Sequence, residues 1–433
     1  MLRFLVLLAF PMLCALTAGA SGKSASPVLN ADSTVTFRVT FPDADEVVLR
    51  GSFLPRKEYL KTSAGALGKE GSVEMEQDGD VWTYTTAKLP SDMYTYSFEV
   101  DGENRLDPNN SNTVRETNDT LNYFIVGGGL GDDFVEHKGV ARGRLEHVWY
   151  PSAMKGMSKR RMTVYLPAAY AKDSKERFPV LYLLHGSGGD EDSWTYCGRV
   201  AQILDNLIAQ GRCCPMIVVM PNGNADLAAT PGADPANPDV KPNGNNTSSM
   251  LGKIESVFMN DVVKYTDSHF RTIADKENRA IAGLSLGGLQ TMYIAMNNPK
   301  AFDYVGLFSA QTTNALNNRR IDTMQKVGDL WDSLKQDLPF LGGGKVDRTI
   351  SKYTSSELDI YENTDKKLQA QFADPPKLYY IALGSDDFVK KLNDDYRKTL
   401  DAGHYKYYYH ETTGGHTWDN WRRYLVDFLP RIF

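Results

Sequence analysis

The segment Gly283-Leu284-Ser285-Leu286-Gly287-Gly288 sets one serine among three glycines. Arg279 to Ala282 before it reads as a buried strand, and Leu289 to Met296 after it as a helix stopped by Pro299. In a strand–turn–helix, the pattern G-x-S-x-G presents a serine hydroxyl as a nucleophile. The glycines let the backbone turn without a Cβ clash, and the turn aims a helix N-terminus at the serine. A tight turn that merely contains serine has the same local pattern, so the rest of the chain must discriminate.

A serine hydroxyl needs a base, and in such a chain an acid and then a histidine follow it in order. After the apolar run KLYYIALG comes Gly384-Ser385-Asp386-Asp387-Phe388, which puts two carboxylates at a strand's carboxyl end. Near the C-terminus, Thr413-Gly414-Gly415-His416-Thr417-Trp418 places His416 in a glycine turn between a strand and a final helix. His137 and His147 come too early, His269 and His404 lie in polar surroundings, and His410 is inside a strand. Only His416 has both the order and the loop position. The fourth part is an oxyanion hole. His185-Gly186-Ser187-Gly188-Gly189 ends the strand FPVLYLLHG, and such a loop can direct N–H groups at developing negative charge. The expected donors are the N–H groups of Leu286 and Ser187, with Gly188 as the substitute for Ser187. His185 reads as a brace for the loop. Trp194 and Trp418 flank the expected site, as aromatic walls for substrate or as packing residues.

These residues need a scaffold. From residue 143 onward, continuous apolar strands (FPVLYLLHG, CPMIVVMPNG, NRAIAG, YVGLFSA, KLYYIALG) alternate with helical segments. That pattern predicts a mainly parallel sheet with helices on both faces, which binds ligands at its carboxyl ends. Residues 33 to 126 differ. STVTFRVTF and MYTYSFEV alternate apolar and polar residues, with turns at Asp78-Gly79 and Asp101-Gly102. A small all-β sandwich over 30–126 is expected. GGGLG then opens a flexible connection over 127–142, and the α/β domain fills 143–433. Two stretches without regular periodicity, 223–250 and 311–376, read as walls or a lid over the site, or as surface decoration.

The length of 433 residues fits two or three domains. A net charge of −6 without basic clusters excludes an electrostatic footprint for nucleic acid. Arg3, an apolar run to Leu16 and Ala18-Gly19-Ala20 read as a signal peptide over 1–20, too short to span a membrane. An exported protein, periplasmic or extracellular and without membrane insertion, is expected. Cys197, Cys213 and Cys214 are too badly spaced for a bridge across a helix and read as reduced thiols. No Cys/His spacing suggests a metal, and neither metal nor cofactor is expected.

The blocks VYLPAAY, YLLHGSGGDEDSW, MIVVMPNG, RAIAGLSLGG and GGHTWDNWRRYLVDFLP together resemble carbohydrate esterase family one. Its members are the feruloyl and acetyl-xylan esterases of the esterase D superfamily. The resemblance runs from about residue 143 to the end. It implies an α/β-hydrolase fold and hydrolysis of esters on plant-wall polysaccharide, feruloylated or acetylated xylan. It places the family's serine on Ser285 and its histidine on His416, and its Gly-x-x-Asp spacing selects Asp387 over Asp386. The front region resembles the early-set immunoglobulin-like modules that precede such esterases. There Trp82, Tyr84, Tyr94 and Tyr96 alternate as core residues do, which favours packing over sugar binding.

The nearest rival is an enterochelin-type siderophore esterase, with the same triad and two-domain plan. Its anionic substrate calls for a basic pocket, and the candidate loops carry few Lys or Arg. A thioester hydrolase and an acyl transferase share the scaffold. A rival of another class is a non-catalytic glycan-binding protein, which the front module and 23 tyrosines favour and the complete catalytic set opposes.

Overall fold

The computed structural model describes residues 25–55, 59–61, 66–68, 71–116, 119–171, 174–235, 252–312 and 359–433. The expected signal peptide lies outside these residues, as do 236–250 and 313–358 from the two irregular stretches. Among the described residues no helix is long and apolar enough to cross a membrane.

The front of the chain forms two larger antiparallel sheets besides the two-stranded pair Tyr59–Lys61 and Ala66–Gly68. One holds Val28–Leu29, Val35–Thr40, Val81–Thr85 and Glu76–Asp78. The other orders Thr113–Glu116, Asp119–Val126, Asp92–Val100, Val47–Gly51 and Gly71–Glu74, with Glu103–Arg105 on the side of Asp92–Val100. Val35, Phe37, Val39, Trp82, Tyr94, Tyr96 and Phe98 share one core. Trp82, Tyr94 and Tyr96 are therefore packing residues, as their alternation predicts, and Tyr84 is half-buried against them. The strand Asp92–Val100 departs from simple alternation, because Asp92 and Met93 are buried as well. Met93 belongs to a different core, the one under the second domain.

That second domain is built on eight strands: Arg144–Pro151, Lys159–Leu166, Val180–Leu184, Ile217–Pro221, Arg279–Leu284, Tyr304–Phe308, Leu378–Gly384 and Tyr408–Thr412. In chain order they lie 1-2-4-3-5-6-7-8 across the sheet. The first two pairings are antiparallel and all later ones parallel. The apolar strands feed both faces. Val180, Tyr182 and Leu184 enter one core, beside helix Leu286–Asn297. Leu181 and Leu183 enter the other, beside helices Val200–Ala209 and Trp418–Phe428. Burying apolar side chains on both faces removes about 25 cal/mol of cost per Å² of apolar surface, which explains the lack of polar alternation.

Register decides which loops meet. Leu184 pairs with Gly283, Leu284 with Phe308, and Gly384 with Thr412. The glycine loop after Leu184, the turn at Ser285, and the loops carrying Asp387 and His416 thus leave the sheet at one edge.

The connection 127–142 is docked, which corrects the expectation of a flexible link. Leu130–Phe134 forms a 3-10 turn, and Phe134 is fully buried in the second core. Asn206 Nδ2 donates to the carbonyls of Asp133 (3.0 Å) and Val135 (2.9 Å), and Arg199 Nε to that of Phe134 (3.0 Å). A composition rich in glycine suggested mobility, but the apolar phenylalanine after it has a pocket to fill.

The thiols of Cys197, Cys213 and Cys214 are unpaired. Burial pushes all three up, Cys213 to about 12, so the unreactive neutral form dominates at pH 8. An aromatic disulfide reagent is expected to react slowly with the folded protein at pH 8 and rapidly after denaturation. Fast native modification of Cys197 or Cys213 would contradict this placement.

Candidate active site

Ser285 sits at φ 53°, ψ −116°, between strand Arg279–Leu284 and helix Leu286–Asn297. A non-glycine residue at positive φ is strained by roughly 1–3 kcal/mol and persists only where its surroundings hold it. Here the Ser285 N–H donates to Phe308 O (2.9 Å). Its carbonyl accepts from Leu289 N–H (3.1 Å) and Gln311 N–H (3.2 Å). The glycines permit close approach. A Cβ on Gly287 would strike the His185 carbonyl, and one on Gly186 would lie 3.2 Å from Ser285 Cβ. The helix start, the serine and the glycine loop are thus in direct contact.

Asp387 and His416 meet across two loops. His416 Nδ1 lies 3.0 Å from Asp387 Oδ1 and 3.2 Å from Oδ2. An ionised carboxylate only accepts, so Nδ1 carries the proton and Nε2 is left as the basic nitrogen. Asp387 is buried and also accepts from Val389 N–H (3.0 Å), whereas Asp386 is exposed. The loops are stitched by Ser385 N–H to Thr412 O (2.8 Å) and Asp386 N–H to Gly414 O (2.9 Å). The His416 ring packs against Phe388 and edge-on to Trp421, with centroids 4.4 and 5.0 Å away.

The glycine loop is braced from beneath. His185 Nε2 accepts from Gly223 N–H (2.7 Å), so its proton is on Nδ1, which donates to Gly186 O (2.8 Å). Burial lowers the pKa of His185 and keeps it neutral. Asn224 Nδ2 donates to Gly189 O (2.7 Å), and the buried Arg160 donates to the carbonyls of Asn222 and Asn224. Gly188 takes φ 76°, a conformation that glycine adopts without strain. Leu286 opens its helix, so its N–H is among the four amides with no intrahelical acceptor. Ser187 is half-buried in the loop, which abuts Ser285 through Gly186.

Residues 154–432 match the family model described as putative esterase. The chain belongs to that family. An endo-1,4-beta-xylanase/feruloyl esterase of Xylanibacter ruminicola is 33% identical over 299 residues, 66% of this chain and 36% of that protein. This chain thus spans about a third of that relative, and 22% of the endo-1,4-beta-xylanase Y of Acetivibrio thermocellus. Among solved structures, a CE1 ferulic acid esterase from Anaeromyces mucronatus in complex with ferulic acid superposes with TM-score 0.50 at 22% identity. That match covers 69% of this chain and 94% of that one. The enterobactin esterase of Shigella flexneri superposes with TM-score 0.55 at 15% identity, over 92% of both chains. At these identities the likeness is one of fold: an α/β-hydrolase-type domain and, in the second case, an all-β front as well.

Two tryptophans of this chain part company. Trp194 is 1% exposed, its Nε1–H donates to Leu184 O (3.0 Å), and its ring packs edge-on to Phe308 and Trp418. It has no face to offer a substrate, so its reading as a wall is corrected to packing. Trp418 is half-buried between Trp194 and Trp421. Sequence reading missed Gln311, Asn224 and Arg160. Asn224 stood in the loop motif PNGN, where a carboxamide beside glycine signals backbone bracing. Arg160 lay in a strand, where its burial has no sequence signal.

Proposed function

We propose that this esterase is a serine carboxylic-ester hydrolase that removes hydroxycinnamoyl groups, feruloyl foremost, from arabinoxylan. The observation that carries the hydrolase reading is the Asp387–His416 hydrogen bond at 3.0 Å, on loops level with the strained Ser285 turn. The substrate reading is supported by the xylanase/feruloyl esterase relative at 33% identity. Acetyl groups on xylan are the second candidate.

In this reading His416 Nε2 takes the Ser285 proton as Oγ attacks the ester carbonyl. Asp387 holds the ring in its tautomer and supports the imidazolium. The oxyanion accepts from the N–H groups of Leu286 and Ser187. The tetrahedral intermediate collapses, the carbon–oxygen bond to the sugar breaks, and His416 gives its proton to the leaving alcohol. Water then enters, loses a proton to His416 and attacks the acyl-serine. Collapse releases the acid and returns the proton to Ser285. Export, read from the first twenty residues, would place the chain with such substrates in the periplasm or outside the cell.

The test is hydrolysis of methyl ferulate, an aryl acetate and ferric enterobactin by the purified full chain. The proposal expects ferulate release with the highest kcat/KM of the three. Preference for acetate would reassign the acyl group, and preference for the siderophore would overturn the plant-wall substrate. No turnover of any ester would overturn the hydrolase.

A further inference from the structure

The front domain touches the esterase domain through buried charge, at two places that serve opposite sides of the site. The first is Asp92, in strand Asp92–Val100 and fully buried. It accepts from Arg423 Nη2 (2.7 Å) and Arg422 Nη2 (3.4 Å). Arg422 Nη2 also donates to Met93 O (2.7 Å), and Nη1 to Cys197 O (2.8 Å). Arg422 is 3% exposed and stacks over Phe134. Both arginines belong to helix Trp418–Phe428, which opens directly after the loop that carries His416. Between them and the histidine lies Trp421, edge-on to the His416 ring at 5.0 Å.

The second place is Arg115, in strand Thr113–Glu116. Its Nη2 donates to Asp190 Oδ2 (2.6 Å) and Thr230 Oγ1 (2.7 Å), and Thr230 Oγ1 donates to the same oxygen (2.8 Å). Its carbonyl accepts from Cys197 Sγ (3.3 Å). Asp190 is buried and follows Gly189, the last residue of the glycine loop. Thr230 N–H donates to Glu191 Oε1 (2.8 Å), which ties the adjoining segment to the same network.

One front domain therefore anchors both the loop of the expected oxyanion donors and the helix behind the expected base. We propose that it is a positioning part of the ester site, with Arg115 setting the glycine loop and Asp92 setting the His416 loop. The proposal rests on the serine-hydrolase reading above. Its physical basis is that a misplacement of about 1 Å at a reacting group costs about 10²-fold in rate. Buried ion pairs hold geometry tightly, because a charge left without its partner has no water to turn to.

The test uses the full chain with Asp92→Ala, Arg115→Ala and Arg115→Lys. Four readings are taken on each: melting temperature, kcat and KM on a small methyl ester, acid release from polymeric xylan, and the rate at which a fluorophosphonate labels Ser285. Positioning predicts that kcat and the labelling rate fall together by about 10- to 100-fold, with KM within about two-fold. The contacts to Asp190 and Thr230 come from one Arg115 nitrogen, so the lysine ammonium is expected to recover a good part of the loss. A lower melting temperature with unchanged kcat and labelling would overturn the proposal, leaving mere adhesion between domains. Loss on polymeric xylan alone, with the small ester unaffected, would overturn it in favour of glycan capture. Where Asp92→Ala fails to fold, Arg115→Ala and Asp92→Asn carry the same readings. Failure to label Ser285 in the wild type would sink the serine-hydrolase reading itself, which separates the two.

Discussion

Alanine in place of Ser285 is expected to lower kcat on methyl ferulate by about 10⁴-fold or more, down to what binding and the oxyanion donors supply without a nucleophile. The reason is chemical. An acyl-enzyme needs an oxygen on the enzyme to carry the acyl group, and no other hydroxyl occupies the turn between strand Arg279–Leu284 and helix Leu286–Asn297. KM for the ester is expected to stay within a few-fold, because the hydroxyl acts on the transition state and contributes little ground-state binding. Stability should hardly change. The Ser285 side chain makes no capping hydrogen bond to the helix, and alanine at φ 53° is no more strained than serine. Turnover by purified variant, with circular dichroism to show the fold, checks all three. Wild-type turnover by a folded Ser285→Ala chain would end the mechanism proposed above.

Asp387→Asn is the second large effect, expected to cost about 10³–10⁴-fold in kcat with the fold intact. Asparagine keeps the shape, but in the wild type Oδ1 accepts from both Val389 N–H (3.0 Å) and His416 Nδ1 (3.0 Å) with Oδ2 3.2 Å from the ring nitrogen, so in either orientation the carboxamide sets its NH₂ within reach of the ring. What changes is the face turned to His416. The carboxylate accepts from Nδ1 and so leaves Nε2 free to take the serine proton. A carboxamide that turns its NH₂ to the ring favours the opposite tautomer, with the proton on Nε2, where it blocks the base. It also removes the charge that supports the imidazolium. The neighbouring Asp386→Asn supplies the contrast. That side chain is exposed, and its change is expected to alter kcat by less than about two-fold. Equal losses in the two variants would mean that the loop as a whole, and not the Asp387 carboxylate, matters to catalysis.

How much of this was legible in the sequence follows from the range of each interaction. The turn at Ser285 is local: six residues carry the glycines, the serine and the change from strand to helix. The apolar strands declare themselves because each is buried on both faces, so no partner need be known to read VLYLL or IVVMP. Asp386 and Asp387 were not separable locally, since both follow the same strand. Register and the Gly414 loop turned one toward His416 and the other to solvent. Trp194 shows the converse. Its position beside the loop was right, but exposure is a property of the whole packing, and Leu184 O with Phe308 claimed both its polar and its apolar surface.

By itself, then, the sequence determined a two-part chain, the element types, the strand–turn–helix at Ser285 and a histidine loop near the C-terminus, because each of these is encoded by spacing within a dozen residues or by burial on both faces. The family resemblance had already pointed to Asp387 over Asp386; only the tertiary structure decided that the stretch 127–142 is docked and that the front domain grips both sides of the site. Those depend on pairs such as Asp92 with Arg422 and Arg115 with Asp190, which lie far apart along the chain. Charges on surface-like residues carry no sign in sequence that folding will bury them together.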